Sequence, residues 1–432
     1  MKRSSTEIKR FARTDKGFSE LSQLKKKNLS ALVSKGKVCK DGFFSFSYIS
    51  YEVQLNPIGW CVRRKESDFI FLRDYLRKKY PQHFVPPLVL TNDKSSESSL
   101  RKKEKYFSRF LINVLRNPDL RGSYFLQEFL NTENQEAFER LMEQRKKEKM
   151  PETLDKYTTL HGKANIKSKT KTWQFCSQIP SFSKNYERLN HKIASTSKVL
   201  VDQFKALTVT MDELSSYFDE LGDLYKDTDQ DMQDMLDINK SISALLSSWS
   251  DSYHGQSNIL KNWFPRFFKY NMNEHISMIE IYNHRNMTKT QFAKMQTNLE
   301  ATKNSLYAER DFDKWGLSPE DTENIDEIDK DEYLAKSKML PEETTQLNSK
   351  KLLLNYLNNT LETEIRRVLK YNFKDLKGHF LRIADQMCQI LTNTQIVWGD
   401  FIAHYVEEKE ASSDEEYISC FNPIKRQKTF ST

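Results

Sequence analysis

Apolar residues recur along this chain with two different periods, and the change of period marks where one kind of structure ends and another begins. In Phe43–Leu55 (FFSFSYISYEVQL) the period is two. Phe44, Phe46 and Tyr48 alternate with polar residues, and Tyr51, Val53 and Leu55 resume the alternation after a one-residue slip. Such alternation predicts half-buried strands. Asn56-Pro57-Ile58-Gly59 supplies turn chemistry and Trp60-Cys61-Val62 carries the next strand, within the run Ile58–Lys65, so the segment reads as a hairpin.

From Phe69 the period lengthens to three and four. Ser67 or Asp68 can cap a helix carrying Phe69, Leu72, Leu76 and Tyr80 on one side; Pro81 stops it, and Pro86-Pro87 forces an extended exit. Thr91–Ser99 is a polar loop. Leu100 then begins a basic helix with Phe107, Phe110, Leu111, Val114 and Leu115 on its apolar side, ended by Asn117-Pro118, and Leu120–Leu130 forms a last short helix. A small sheet followed by helices is an α+β arrangement. Residues 132–180 read as a basic linker containing a charged helical stretch, Glu139–Lys149. Its apolar Trp173 and Phe175 either pack on the next domain or dip into a membrane interface.

Beyond Pro180 the chain is mostly helical to about residue 410. Ile193, Leu200, Leu207, Leu214 and Leu221 repeat every seven residues, with Phe204, Met211, Phe218 and Tyr225 four later in each repeat from Leu200 on. A seam of period 3.5 belongs to helices that supercoil around partners. A second helix is expected from about Met235 to Ala308, with Pro265 inside it, and a third from about Glu342 to Glu408. Between them Asp311–Leu340 breaks the pattern. Its Glu320–Glu332 run holds eight acids against Lys330 alone, which predicts a solvated acidic loop that folding does not need. It lacks the central glycine and the D-x-D-x-D-G spacing of a calcium loop.

Composition refines the picture in three ways. Eleven glycines in 432 residues favour long helices over turn-rich sheet. Five cysteines without a CxxC pair suggest reduced thiols, and neither a disulfide framework nor a zinc site. The net charge of +8 is unevenly spread: residues 1–40 carry twelve Lys or Arg against three acids and read as a basic disordered tail, and residues 411–432 as a second disordered tail. No apolar run approaches the roughly 20 residues of a membrane span, and the first residues show no signal-peptide core.

The segment Cys61–Leu88 (CVRRKESDFIFLRDYLRKKYPQHFVPPL), followed by a basic helix, resembles the phox-homology (PX) domain of sorting nexins, over about residues 41–131. The helices of residues 181–410 resemble the BAR-type unit that follows it in the PX-BAR group. The resemblance implies an α+β PX domain with a small three-stranded sheet, followed by an all-α BAR-like unit of three long antiparallel helices. It implies binding to the headgroup of phosphatidylinositol 3-phosphate through Arg64, Lys65, Lys103 and Lys94, the last an approximate counterpart. Glu66 stands where the family usually has an aromatic, and Lys65 and Lys103 where it prefers arginine. The resemblance further implies a cytoplasmic protein, peripheral on endosomal membranes, acting in membrane sorting or tubulation and protein transport. Its partners would be a phosphoinositide-containing membrane and a second copy or a related sorting nexin. Candidate lipid-facing cations on the helices are Lys261, Arg266, Lys269, Arg285, Lys289, Arg366, Arg367, Lys370 and Lys374. A coiled-coil scaffold whose PX-like domain docks proteins is the alternative.

Nothing in the chain resembles catalytic machinery. There is no Gly-rich phosphate loop, HExxH or GxSxG, and the eight histidines are scattered. No cofactor, metal or catalytic residue is expected. The acidic run and the heptads speak against a nucleic-acid binder.

Overall fold

The structure, a computed structural model, describes residues 29–39, 47–90, 96–149, 151, 169–226 and 230–410. Residues 1–28 and 411–432 of the expected tails, Phe43–Phe46, Lys94 and residues 152–168 of the expected linker lie outside these. The chain divides into two compact units, residues 1–191 with 269–373 and residues 192–268 with 374–432.

The first unit begins with an antiparallel sheet of order β1-β2-β3: β1 Ser30–Cys39, β2 Tyr48–Asn56 and β3 Trp60–Lys65. β1 was expected to belong to the tail. Its alternation is carried by Ala31 and Val33 alone before the register breaks between Ser34 and Lys37, so the lysines hide a strand end that is buried on one face. On β2 the buried apolar residues are Tyr51, Val53 and Leu55, the set that followed the slip, and on β3 the buried residues are Val62 and Arg64.

Helix α1 spans Glu66–Lys79 and starts earlier than expected, because the Asp68 carboxylate accepts the Lys65 backbone N–H at 2.8 Å. Its Phe69, Leu72 and Leu76 are fully buried. α2 spans Glu97–Arg116, with the Ser96 hydroxyl accepting from the Ser99 N–H. The short α3, Pro118–Arg121, is capped by Asn117, and α4 follows at Tyr124–Asn131. α5, Gln135–Lys146, falls where a linker was expected; its Phe138 is fully buried against Phe125 and Phe129. Phe69 stacks on Phe107 at 4.4 Å and meets Tyr51 and Phe129 edge-on. Burying an aromatic of this size is worth roughly 1.5–3 kcal/mol, so this cluster closes the sheet against the helices.

Three long helices follow: α6 Thr170–Asp223, α7 Gln230–Glu309 and α11 Pro341–Glu410. In the first unit they form the ground on which the diproline segment lies. Glu364 of α11 is the anchor. It accepts from the Phe84 N–H at 2.8 Å, from Asn117 Nδ2 at 3.1 Å and from Arg367 at 2.8 Å, with the His83 ring 3.5 Å away. Burial would raise this carboxyl, but Arg367 and His83 hold it down at about 2. Arg73 of α1 reaches Glu280 of α7 at 2.7 Å. Trp173 and Phe175 of α6 are half-buried under Arg285 and Arg366, in a helix whose Cys176 and Ile179 are buried.

The acidic stretch is a correction to the expected loop. A 3-10 turn, Phe312–Trp315, and short helices α8 Pro319–Glu323, α9 Ile325–Ile328 and α10 Glu332–Lys338 enclose a small core of Trp315, Ile328, Ala335 and Met339. Gly316 takes the left-handed conformation (φ 59°) that lets the chain turn after Trp315. The apolar residues are few, but these four converge.

In the second unit α6 and α7 run antiparallel. Ser215 donates to Ser243 O, Ser250 to Thr208 O and Ser257 to Val201 O, a rung every seven residues on each helix. Small residues at the rungs let the backbones approach closely. α11 joins through Trp398 on Trp249, Phe380 on Phe264 and His379 on Trp263.

Candidate functional site

The basic run Arg63-Arg64-Lys65 ends β3, and alternation sends its members to opposite faces. Arg64 follows Val62 inward and is 0% exposed. Its guanidinium donates to the carbonyls of Phe129 (2.9 Å), Glu128 (3.3 Å) and Thr132 (2.7 Å) at the end of α4, and to that of Arg63 (2.7 Å). It also lies 4.0 Å over the Phe138 ring. Burial lowers the guanidinium to about 10, opposed by the charge of Asp68, so it stays a cation at neutral pH. The C-terminal carbonyls of a helix suit a cation. Expected as a headgroup ligand, Arg64 stands as a fastener between β3, α4 and α5.

Arg63 is held on the other face by the Ser50 hydroxyl and by the carbonyls of Ser50 and Lys35. Lys65, at the strand-to-helix junction, forms an ion pair with Glu139 of α5 at 3.0 Å and lies 4.6 Å over the Tyr48 ring. Hydrogen bonds from Gln135 and Lys65 lower the Glu139 carboxyl. Lys103 of α2 is 0% exposed, and its ammonium donates to Glu66 Oε2 at 2.8 Å. Lys103 therefore comes to the residue next to Lys65, as a site around the head of α1 requires. Lys94 lies outside the described residues. Close by, the buried Tyr51 hydroxyl has no hydrogen-bond partner among the described residues and feels the charges of Glu66 and Glu104. An open cavity of about 660 Å³ borders Lys65, with Ser67, Glu139 and Arg140 in its lining.

The cluster is thus two lysines and two carboxylates, Lys65–Glu139 and Lys103–Glu66. The carboxylate partners were not evident in the sequence. Glu139 is 74 positions from Lys65 and carries no motif. The inward turn of Arg64 was legible, because it sits two residues after the apolar Val62.

The sequence model of the PX domain family matches residues 56–133. Sorting nexin mvp1 of Aspergillus fumigatus is 35% identical over 94 residues, 21% of this chain and 13% of that protein. Sorting nexin-4 of Eremothecium gossypii is 24% identical over 194 residues, 39% of this chain and 46% of its own length. The matched stretches therefore span less than half of these relatives. In fold, the cryo-EM structure of the SNX-BAR Mvp1 tetramer aligns at a TM-score of 0.56 and 16% identity, over 86% of this chain and 99% of that one. Residues 56–133 thus carry a PX domain, and the chain has the fold of an SNX-BAR protein.

For a chain of this fold the placement of the helix cations matters. Arg285 is buried and donates to Asn358 at 2.6 Å, Arg367 is bound to Glu364, and Arg366 to Glu362. Of the nine expected lipid-facing cations, Arg285 and Arg367 are committed to internal contacts, whereas the Arg366 pair lies on an exposed helix face. The leucine seam shows the opposite. Leu200, Leu207, Leu214 and Leu221 are 38–42% exposed, while Val201, Phe204, Met211 and Phe218 turn toward the neighbouring helices. Among the described residues no helix is long and apolar enough to cross a membrane, and no group of His, Cys, Asp and Glu could hold a metal ion.

Proposed function

We propose that this chain is a non-enzymatic, peripheral membrane scaffold of endosomes, sorting membrane proteins by binding a phosphoinositide through its PX domain and a second chain through its helices. The observation that carries the membrane reading is that the buried Lys103 reaches Glu66 in the first turn of α1, the residue that follows Lys65. Two cations from separate elements, one of them buried, form a site for a phosphate more exacting than a basic surface. Arg64 holds the frame under them. The exposed leucines at steps of seven support self-association or pairing with a related chain, since a stripe of that length is rarely left in water. Co-sedimentation of the full chain with vesicles of each phosphoinositide tests the reading. Lys65→Ala and Lys103→Ala should each weaken binding to phosphatidylinositol 3-phosphate by roughly ten- to a hundredfold at physiological salt. Unchanged binding in both variants would refute the site.

A second reading has its own observation. Both lysines already face carboxylates, Glu139 and Glu66. A domain so neutralised could dock protein partners and leave membrane attachment to the helices. A parent protein that ignores every phosphoinositide yet sediments with generally anionic vesicles would favour it.

A further inference from the structure

Glu66 occupies the place where a phosphate would have to sit to reach Lys103. The Lys103 ammonium is wholly buried and bonded to Glu66 Oε2, whereas the Glu66 side chain is about a quarter exposed. An incoming anion therefore meets the carboxylate first and the ammonium only once that carboxylate has moved. Glu66 is the first residue of α1, so its side chain can swing outward without disturbing a helical hydrogen bond. Lys103, set in the middle of α2 between the buried Tyr106 and Phe107 and the rest of the core, cannot follow it.

We infer that Glu66 is a carboxylate gate, an internal competitor for the anion site that only a dianionic phosphomonoester displaces. The inference rests on the phosphoinositide reading above. The charge balance explains the selectivity. A singly charged phosphodiester exchanging for Glu66 replaces one negative charge by another and gains nothing at Lys103. A phosphomonoester carries a charge nearer to two at neutral pH and has three acceptor oxygens. It can replace the carboxylate on Lys103 and still have oxygens to offer Lys65, the residue next to Glu66. The gate also solves a problem of the empty protein, since a buried ammonium left without an anion is strongly destabilising. The same carboxylate that stabilises the free domain thus sets the threshold for its ligand.

The test uses the full chain with Glu66→Gln, Glu66→Tyr and the double variant Glu66→Gln/Lys103→Met. The probes are soluble inositol 1,3-bisphosphate, followed by calorimetry and by thermal shift, and vesicles carrying phosphatidylinositol 3-phosphate or charge-matched phosphatidylserine. A carboxylate about 5 Å from a phosphate, at the effective dielectric near a protein surface, is worth up to roughly a hundredfold in affinity. Because Glu66 is free to swing away, the expected gain is about tenfold. Glu66→Gln should melt earlier than the parent without ligand and be raised further by inositol 1,3-bisphosphate. Its preference for phosphatidylinositol 3-phosphate over phosphatidylserine should narrow, and the double variant should lose the gain. Tightening with both probes assigns a lipid headgroup, and tightening with the soluble probe alone assigns a free inositol phosphate; either supports the gate. A parent that binds, with Glu66→Gln and Glu66→Tyr folded but no tighter, overturns the gate and leaves the phosphoinositide reading standing. If neither parent nor folded variants bind either phosphomonoester probe, that reading fails and the gate fails with it. Glu66→Tyr keeps the test decisive if Glu66→Gln does not fold.

Discussion

Arg64→Ala separates a fastener from a ligand. In the folded protein the guanidinium bridges three carbonyls at the end of α4 and one on β3, and its plane covers Phe138. Truncation leaves the buried Phe129 carbonyl and the half-buried Thr132 carbonyl without this donor and opens a void beside a fully buried aromatic. An unsatisfied buried acceptor costs about 1–3 kcal/mol, the void adds more, and the removed charge no longer has to be kept from water, which returns part of the cost. The expected net loss is about 3–5 kcal/mol. Arg64→Lys keeps the charge but cannot span the same carbonyls with a planar fork, so it should lose roughly 1–3 kcal/mol. Hydrogen exchange across residues 60–140 of the full chain reads this locally, because opening of the sheet and α4 reports the free energy of that region. Protection should fall in Arg64→Ala throughout β3, α1 and α4, while Lys65→Ala leaves it nearly unchanged. Full protection in Arg64→Ala together with lost phosphoinositide binding would refute the assignment and return Arg64 to the headgroup site.

Three further outcomes are expected. Trp315→Ala should cost about 3–5 kcal/mol locally, because this buried indole also donates to the Leu306 carbonyl at 3.1 Å; exchange of residues 312–340 should accelerate, and unchanged protection would restore the loop reading. Burial and Lys350 lower His284 to about 4. Between its ordinary value near 6.5 and that figure the unfolded chain binds the proton that the folded one refuses, so stability falls as pH drops through this window, by at most about 3 kcal/mol. Urea midpoints of His284→Gln should lose this part of the pH slope, and parallel slopes in parent and variant would contradict it. Leu207→Asp with Leu214→Asp should turn a self-associating chain into a monomer in sedimentation experiments, and a parent that is already monomeric at micromolar concentration would remove the basis for the seam.

Local pattern alone determined much of this protein. Periods of two and then three to four located β2, β3, α1 and α2, because the period of apolar residues follows directly from backbone geometry. The heptad repeat and the internal spacing placed all three long helices to within about a dozen residues, since so long an amphipathic stripe has few other uses. Val62 followed by Arg64 contained the inward turn of the arginine. Other features rested on contacts between distant residues. β1 is a strand because Ala31 and Val33 meet a sheet edge and α2, and its lysines gave no local sign of that. α5 is anchored by Phe138, and the acidic segment is ordered by Trp315, Ile328, Ala335 and Met339, each a single residue in a polar neighbourhood. The pairing of Lys103 with Glu66 and of Lys65 with Glu139 likewise depends on elements brought together only by packing. A charge read in sequence is only a charge; what it faces, and whether water reaches it, is decided when the helices close on the sheet.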